Sequence, residues 1–298
     1  MNQDTVRSGV VWRLMDVLKE ATGFLEARQI EAPRLNAERL MAHVLGLSRV
    51  ELYLRFDQPL EPGERQAYKA VLRQRAGGTP LQYILGETEF MSLNFRVNPA
   101  VLIPRPETET LVEFVMHQHP VERAVSLIDV GTGSGAIALS LAHYLPQASV
   151  TALDISQHAL ETAKQNAEQL GLSDRLHWQR GDLYSDDFVR SIGKTFDAVV
   201  SNPPYVTLAE YAALATEIRE HEPRLALCDE GDGLSAYRHL AGHAATLLKP
   251  GGLLAVEVGD TQSEAVQAIF QTAGLLAVDI IKDLNGIGRV VSGRRSED

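Results

Sequence analysis

Apolar residues recur along this 298-residue chain with two different periods, and the change from one to the other divides it. Over the first 80 residues the period is helical. Val10, Val11, Leu14, Val17 and Leu18 share one face, as do Leu40, Met41, Val44 and Leu45. Ser48, with Glu51 three residues on, is a capping-box start for a short helix, and a further helix is expected over residues 64–75. Gly77-Gly78-Thr79-Pro80 interrupts the pattern and predicts a boundary, so residues 1–80 read as a small helical domain. Alternation within residues 82–85 and 93–97 predicts a β-hairpin linker over residues 81–105, with Phe90 and Met91 as core or contact residues.

From residue 106 to 298 the signal becomes a series of short apolar runs. They predict strands near residues 126, 150, 176, 196, 253, 275 and 289, with helices between the first five. Strands alternating with helices describe a doubly wound α/β sheet. Residues 275–282 and 289–293, joined through Asn285-Gly286, are expected to pair antiparallel at its end. Lys249-Pro250-Gly251-Gly252 reads as a helix exit leading into the fifth strand at residues 253–258. In such a sheet, ligands bind at the carboxyl ends of the first strands.

Those ends carry the chemistry. After the first strand, Asp129 precedes a turn with Gly131, Gly133 and Gly135, where missing Cβ atoms permit close approach of backbone to ligand and of helix to strand. Asp154 ends the second strand, where a carboxylate can accept hydrogen bonds from both hydroxyls of a ribose. Gly181-Asp182 ends the third. Gly131, Gly133 and Ala136 alone also satisfy a dinucleotide fingerprint, which leaves a nicotinamide or flavin enzyme open from that motif. The fourth strand is followed by Asn202-Pro203-Pro204-Tyr205. Two prolines fix φ and remove two donors, so their carbonyls can face a ligand. The Asn202 carboxamide can meet an NH2 group without a net charge, and Tyr205 can stack on the flat group so held.

The Asp-x-Gly-x-Gly-x-Gly turn, Asp154 and Asn-Pro-Pro-Tyr, in this order and spacing, resemble a class I S-adenosyl-L-methionine-dependent methyltransferase. Residues 103–109 (Ile-Pro-Arg-Pro-Glu-Thr-Glu), 85–90 (Leu-Gly-Glu-Thr-Glu-Phe), Gly231-Asp232-Gly233-Leu234 and Tyr237-Arg238 narrow the resemblance to the peptide chain release factor N5-glutamine methyltransferases, over roughly residues 10–295. The resemblance implies a seven-stranded sheet with an N-terminal helical domain. It also implies methylation of a glutamine side-chain amide in a release factor, with S-adenosyl-L-homocysteine as product. Cofactor contacts are implied at Asp129, Gly131, Thr132, Gly133, Ser134 and Gly135, and at Asp154, Asp182, Leu183 and Asn202. Asn202, Pro203, Pro204 and Tyr205 become the substrate site, with Asn202, Pro203 and Tyr205 catalytic. The Asn202 oxygen and the Pro203 carbonyl would accept the two amide N–H bonds while Tyr205 holds the amide plane. The helical domain would dock the protein substrate or merely stabilise the enzyme. Arg105-Pro106-Glu107-Thr108-Glu109 serves as a helix entry or lines the substrate mouth. Methylation of a ribosomal protein, or of adenine in nucleic acid, remains an alternative.

Composition changes the picture in four respects. Residues 1–80 carry a net charge of +2 and the rest −13, a poor grip for a polyphosphate backbone, although local basic patches keep adenine methylation open. A single cysteine, Cys228, forms no internal disulfide, which points to a reducing cytoplasm. Charges at Asp4, Arg7, Arg13, Asp16 and Lys19 argue against a signal peptide or a spanning helix. The nine histidines are scattered along the chain with no His/Cys pairing, so no metal is expected.

Overall fold

A computed structural model describes residues 11–298, which fall into two units that divide between Leu85 and Gly86. The first is helical: Leu14–Glu26, Pro33–Leu45, Arg49–Leu54, Pro62–Ala76 and Leu81–Leu85. Leu14, Leu18, Leu40 and Met41 are buried with Leu25, Leu52, Tyr68 and Leu72. Val10 lies outside the described residues, and Val11, expected on the same face, precedes the first helix and is exposed. The capping box forms: Glu51 N donates to Ser48 Oγ at 3.3 Å and Ser48 N to Glu51 Oε2 at 2.8 Å.

The hairpin corrects the sequence reading. Residues 82–85 are helical, because Leu81, Ile84 and Leu85 stand at i, i+3 and i+4 and pack on the helical core. The two strands are β1 (Glu87–Phe90) and β2 (Leu93–Arg96), joined by Met91 and Ser92, both at positive φ without glycine. Two anchors hold this turn. Met91 N donates to Glu109 Oε1 at 2.6 Å, and Tyr144 Oη donates to Met91 O at 2.7 Å.

The second unit continues with β3 (Val125–Val130), β4 (Ala148–Asp154), β5 (Leu176–Arg180), β6 (Phe196–Ser201), β7 (Leu248–Glu257), β8 (Leu276–Lys282) and β9 (Gly288–Arg294). They form one sheet in the order β5-β4-β3-β6-β7-β9-β8, parallel through β7 with β9 antiparallel to both its neighbours. Alternate residues feed two cores. Leu127, Ala198, Val200 and Leu253 join the first, and Ile128, Val199, Leu254 and Val256 the second. Burial on both faces accounts for the near-continuous apolar runs. The fifth strand of the sheet begins at Leu248 instead of residue 253. Phe196 pairs with Leu248 and the register then shifts before Ala198 pairs with Leu253, so residues 249–252 form an irregularity inside the strand and not a helix exit.

Candidate active site

The carboxyl ends of β3, β4, β5 and β6 open on one cavity of about 420 Å³. Gly131 and Gly133 reach it from the turn after β3, Asp154 from β4, Asp182 and Leu183 from beyond β5, and Asn202, Pro203 and Pro204 from β6. Strand order explains the convergence. β3 lies between β4 and β6, and the crevice forms where chain connections leave the sheet in opposite directions.

Asp154 ties the site together. Its Oδ2 accepts from Gly133 N at 2.8 Å and its Oδ1 from Ser156 N at 2.8 Å, so the carboxylate is fixed in orientation and also fixes the glycine turn. Burial pushes its carboxyl above the usual aspartate value, opposed by these backbone donors. A carboxylate oriented in this way beside two glycines, with Val101, Leu102, Leu183 and Leu225 as apolar walls, suits a nucleoside with a vicinal diol. Gly135 starts the helix Ala136–Tyr144 at φ +83°, and a Cβ there would lie 2.9 Å from Leu139 Cδ1 and 3.1 Å from Ala163 Cβ.

Asp129, Thr132, Ser134 and Gly135 do not line the cavity. Asp129 is fully buried behind the turn, where its Oδ2 accepts from Thr132 Oγ1 at 2.7 Å and from Ala138 N at 3.2 Å. Burial pushes its carboxyl up to about 7, against the pull of those two donors, and Oδ1 has no hydrogen-bond partner among the described residues. It positions the turn by accepting from the first turn of the helix, where the dipole favours a negative charge.

Asn202 is a junction. It lines the cavity, while its Nδ2 donates to Thr108 Oγ1 at 3.2 Å. Tyr205 stands outside the cavity lining, against Gly259 and near the Glu257 carboxylate. Burial, with Glu257 adding to it, pushes its phenol up to about 12. The turn is held from behind. Gln262 Nε2 donates to the carbonyls of Tyr205 and Gly233, at 3.0 and 3.2 Å. Gly233 is at φ +81°, and a Cβ there would lie 2.6 Å from the Tyr205 oxygen, which accounts for the second glycine of Gly231-Asp232-Gly233-Leu234.

Glu222, just before Pro223, belongs to no motif that the sequence displays. Its side chain is 2% exposed; Oε1 pairs with Arg105 Nη2 at 2.5 Å and Oε2 accepts from Ile103 N at 3.2 Å. The clasp joins two loops that wall the cavity, one through Val101 and Leu102 and the other through Pro223 and Leu225. Arg105 therefore acts beyond helix entry, which is made by Pro106–Thr108 and Glu109–Gln118.

Residues 16–86 match the family described as PrmC N-terminal domain, and residues 107–232 the family described as methyltransferase small domain. A protein of Geobacter sulfurreducens named release factor glutamine methyltransferase is 42% identical over 285 residues, covering 95% of this chain and 97% of that one. A Moorella thermoacetica protein of the same name is 44% identical over 286 residues, with 96% and 99% covered. Among solved structures, the protein-(glutamine-N5) methyltransferase (release factor-specific) from Alicyclobacillus acidocaldarius is 32% identical, with a TM-score of 0.41 over 68% of this chain and 99% of that one.

Proposed function

Because the chain belongs to the release factor glutamine methyltransferase family, we propose that it methylates the side-chain amide nitrogen of the glutamine in the Gly-Gly-Gln loop of a peptide chain release factor, using S-adenosyl-L-methionine. The observation that carries this reading is the position of Asn202, at once on the wall of the cavity and bonded through its carboxamide to Thr108. When bound, the cofactor supplies an electrophilic methyl group on a sulfonium. Asp154 is suited to the ribose hydroxyls, Gly131 and Gly133 to close backbone approach, and Asp182 with Leu183 to the base. Asp129, Thr132, Ser134 and Gly135 hold the turn in shape.

A glutamine amide nitrogen is a weak nucleophile because its lone pair is delocalised into the carbonyl. Asn202 Oδ1 and the Pro203 carbonyl accept its two N–H bonds, which returns electron density to the nitrogen. Tyr205 holds the amide plane from the side of Glu257. Positioning and fixed dipoles supply the acceleration without a general base. Residues 1–80 dock the release factor, and the lone, buried Cys228 suits a reducing cytoplasm. No helix among the described residues is long and apolar enough to cross a membrane.

The test is transfer of labelled methyl to purified release factor, ribosomal protein and DNA, with mass mapping of the labelled residue. Label on the loop glutamine is expected; label on DNA adenine or on the ribosomal protein overturns the substrate. Asn202→Ala should lower transfer by about 10² to 10³ with cofactor affinity kept. Asp154→Ala should weaken cofactor binding about tenfold or more by calorimetry, and an unchanged dissociation constant removes its ribose role.

A further inference from the structure

Glu257 ends β7 beside the end of β6, one residue past the pairing of Ser201 with Val256, which sets it level with Asn202. Its side chain is buried, and Oε2 has no hydrogen-bond partner among the described residues. Thr108 and Asn202 stand beside its carboxyl and favour its charged form, and Asn202 Nδ2 donates to Thr108 Oγ1 at 3.2 Å. Tyr237 Oη donates to the Glu257 backbone carbonyl at 3.0 Å and holds the strand end in place.

A carboxamide can be turned over, exchanging the end that accepts for the end that donates. If the Asn202 NH2 group faced a substrate NH2, donor would meet donor; only Oδ1 in that place makes a bond. The Thr108 hydroxyl rotates and serves either arrangement. A carboxylate only accepts, so its charge favours the NH2 end of Asn202 on its side and repels the oxygen end. Resting on the amide methylation proposed above, we infer that Glu257 is a positioning residue that locks the Asn202 carboxamide with Oδ1 turned toward the substrate amide.

The lock depends on charge. Burial pushes the Glu257 carboxyl up to about 7; Thr108, Arg289 and Asn202 oppose this, and Glu107 adds to it. Tyr205 and Tyr237 face it as well, both held protonated by burial and by its charge. Arg289 is shared with Asp283 and Asp260. Protonated Glu257 gains an O–H that can donate to Asn202 Oδ1, so the orientation is fixed above the titration and released below it.

The first readout needs no substrate. In protein labelled with 15N-asparagine, the Asn202 NH2 signal is identified by its loss in Asn202→Ala. It is expected to shift with a midpoint near neutral pH in the wild type and to stay constant in Glu257→Gln; a wild-type signal that is flat from about pH 5.5 to about 8.5 overturns the inference. With release factor as acceptor, Glu257→Gln should lower kcat about tenfold while KM and the cofactor dissociation constant stay within about twofold. An unchanged kcat, or a loss confined to KM, overturns it. In the Asn202→Ala background, Glu257→Gln should cost nothing further, whereas a repeated tenfold loss assigns Glu257 a separate structural role. A titrating Asn202 signal in a protein that leaves release factor unlabelled sinks the substrate reading and supports the lock.

Discussion

Two buried carboxylates, one in each unit, are treated in opposite ways. Glu38 in the helical unit is 1% exposed and surrounded by donors: Arg34 Nε at 2.9 Å, Arg49 Nη2 at 2.6 Å and the Tyr53 hydroxyl. Burial alone would push its carboxyl up, but these bonds outweigh it and hold the group below the usual glutamate value. Glu257, 3% exposed at the strand ends, keeps one oxygen without a partner among the described residues and is pushed up to about 7. Asp129 follows Glu257. The chain completes the charge of Glu38, as it does for Glu222 and Asp154 at the cavity. At Glu257 and Asp129 one oxygen is left incomplete, a local cost that the packing of the two sheet cores sustains.

The largest effect expected from this contrast is at Glu38. Glu38→Ala removes the common acceptor of two arginines and a tyrosine and should cost about 3 kcal/mol in denaturant unfolding at neutral pH. The folded value is depressed, so this stabilisation is present above the unfolded value and is lost as pH falls through the folded one. A cost below about 1 kcal/mol would reduce the cluster to an ordinary surface ion pair. Glu257→Gln should act with the opposite sign. Its folded value is raised, so the wild type is at full strength below the unfolded value and loses stability as pH rises through about 7. Thermal melts should therefore find the variant more stable by about 2 kcal/mol at pH 8 and equal at pH 4. Greater stability at pH 4 than at pH 8, relative to wild type, contradicts a buried carboxylate that titrates near neutrality. Asp129→Asn should change least, within about 1 kcal/mol at pH 8. Relief of the charge is offset by an NH2 group set where Oδ1 finds no partner or against Ala138 N–H. A gain as large as that at Glu257 would show that the turn does not need its acceptor.

What could be read in the sequence was local. The glycine turn, Asp154 and Asn202-Pro203-Pro204-Tyr205 each occupy consecutive residues, and sheet topology delivers Gly131, Gly133, Asp154, Asp182 and Asn202 to one cavity. Residues 82–85 misled because four positions are too few to separate a period of two from one of 3.6. β7 was shortened because Pro250 and two glycines look like a break, whereas a register shift carries the strand through them. Glu257 was invisible inside the run 253–258, its place visible only when β6 lies alongside. Gln262 and Glu222 act on residues 57 and 117 positions away, and no periodicity carries that information.

The Arg105–Glu222 clasp has a consequence for synthesis. Its partners are 117 residues apart, and β3 to β6 with their helices all lie between them. Closing so long a loop carries an entropic cost that only the packed intervening strands offset. A chain growing from its amino end cannot make the contact before Glu222 has been added. A nascent protein with four strands of the sheet already complete would still lack the clasp between the two walls of its cavity, so competence to hold a ligand should arrive late and abruptly during translation.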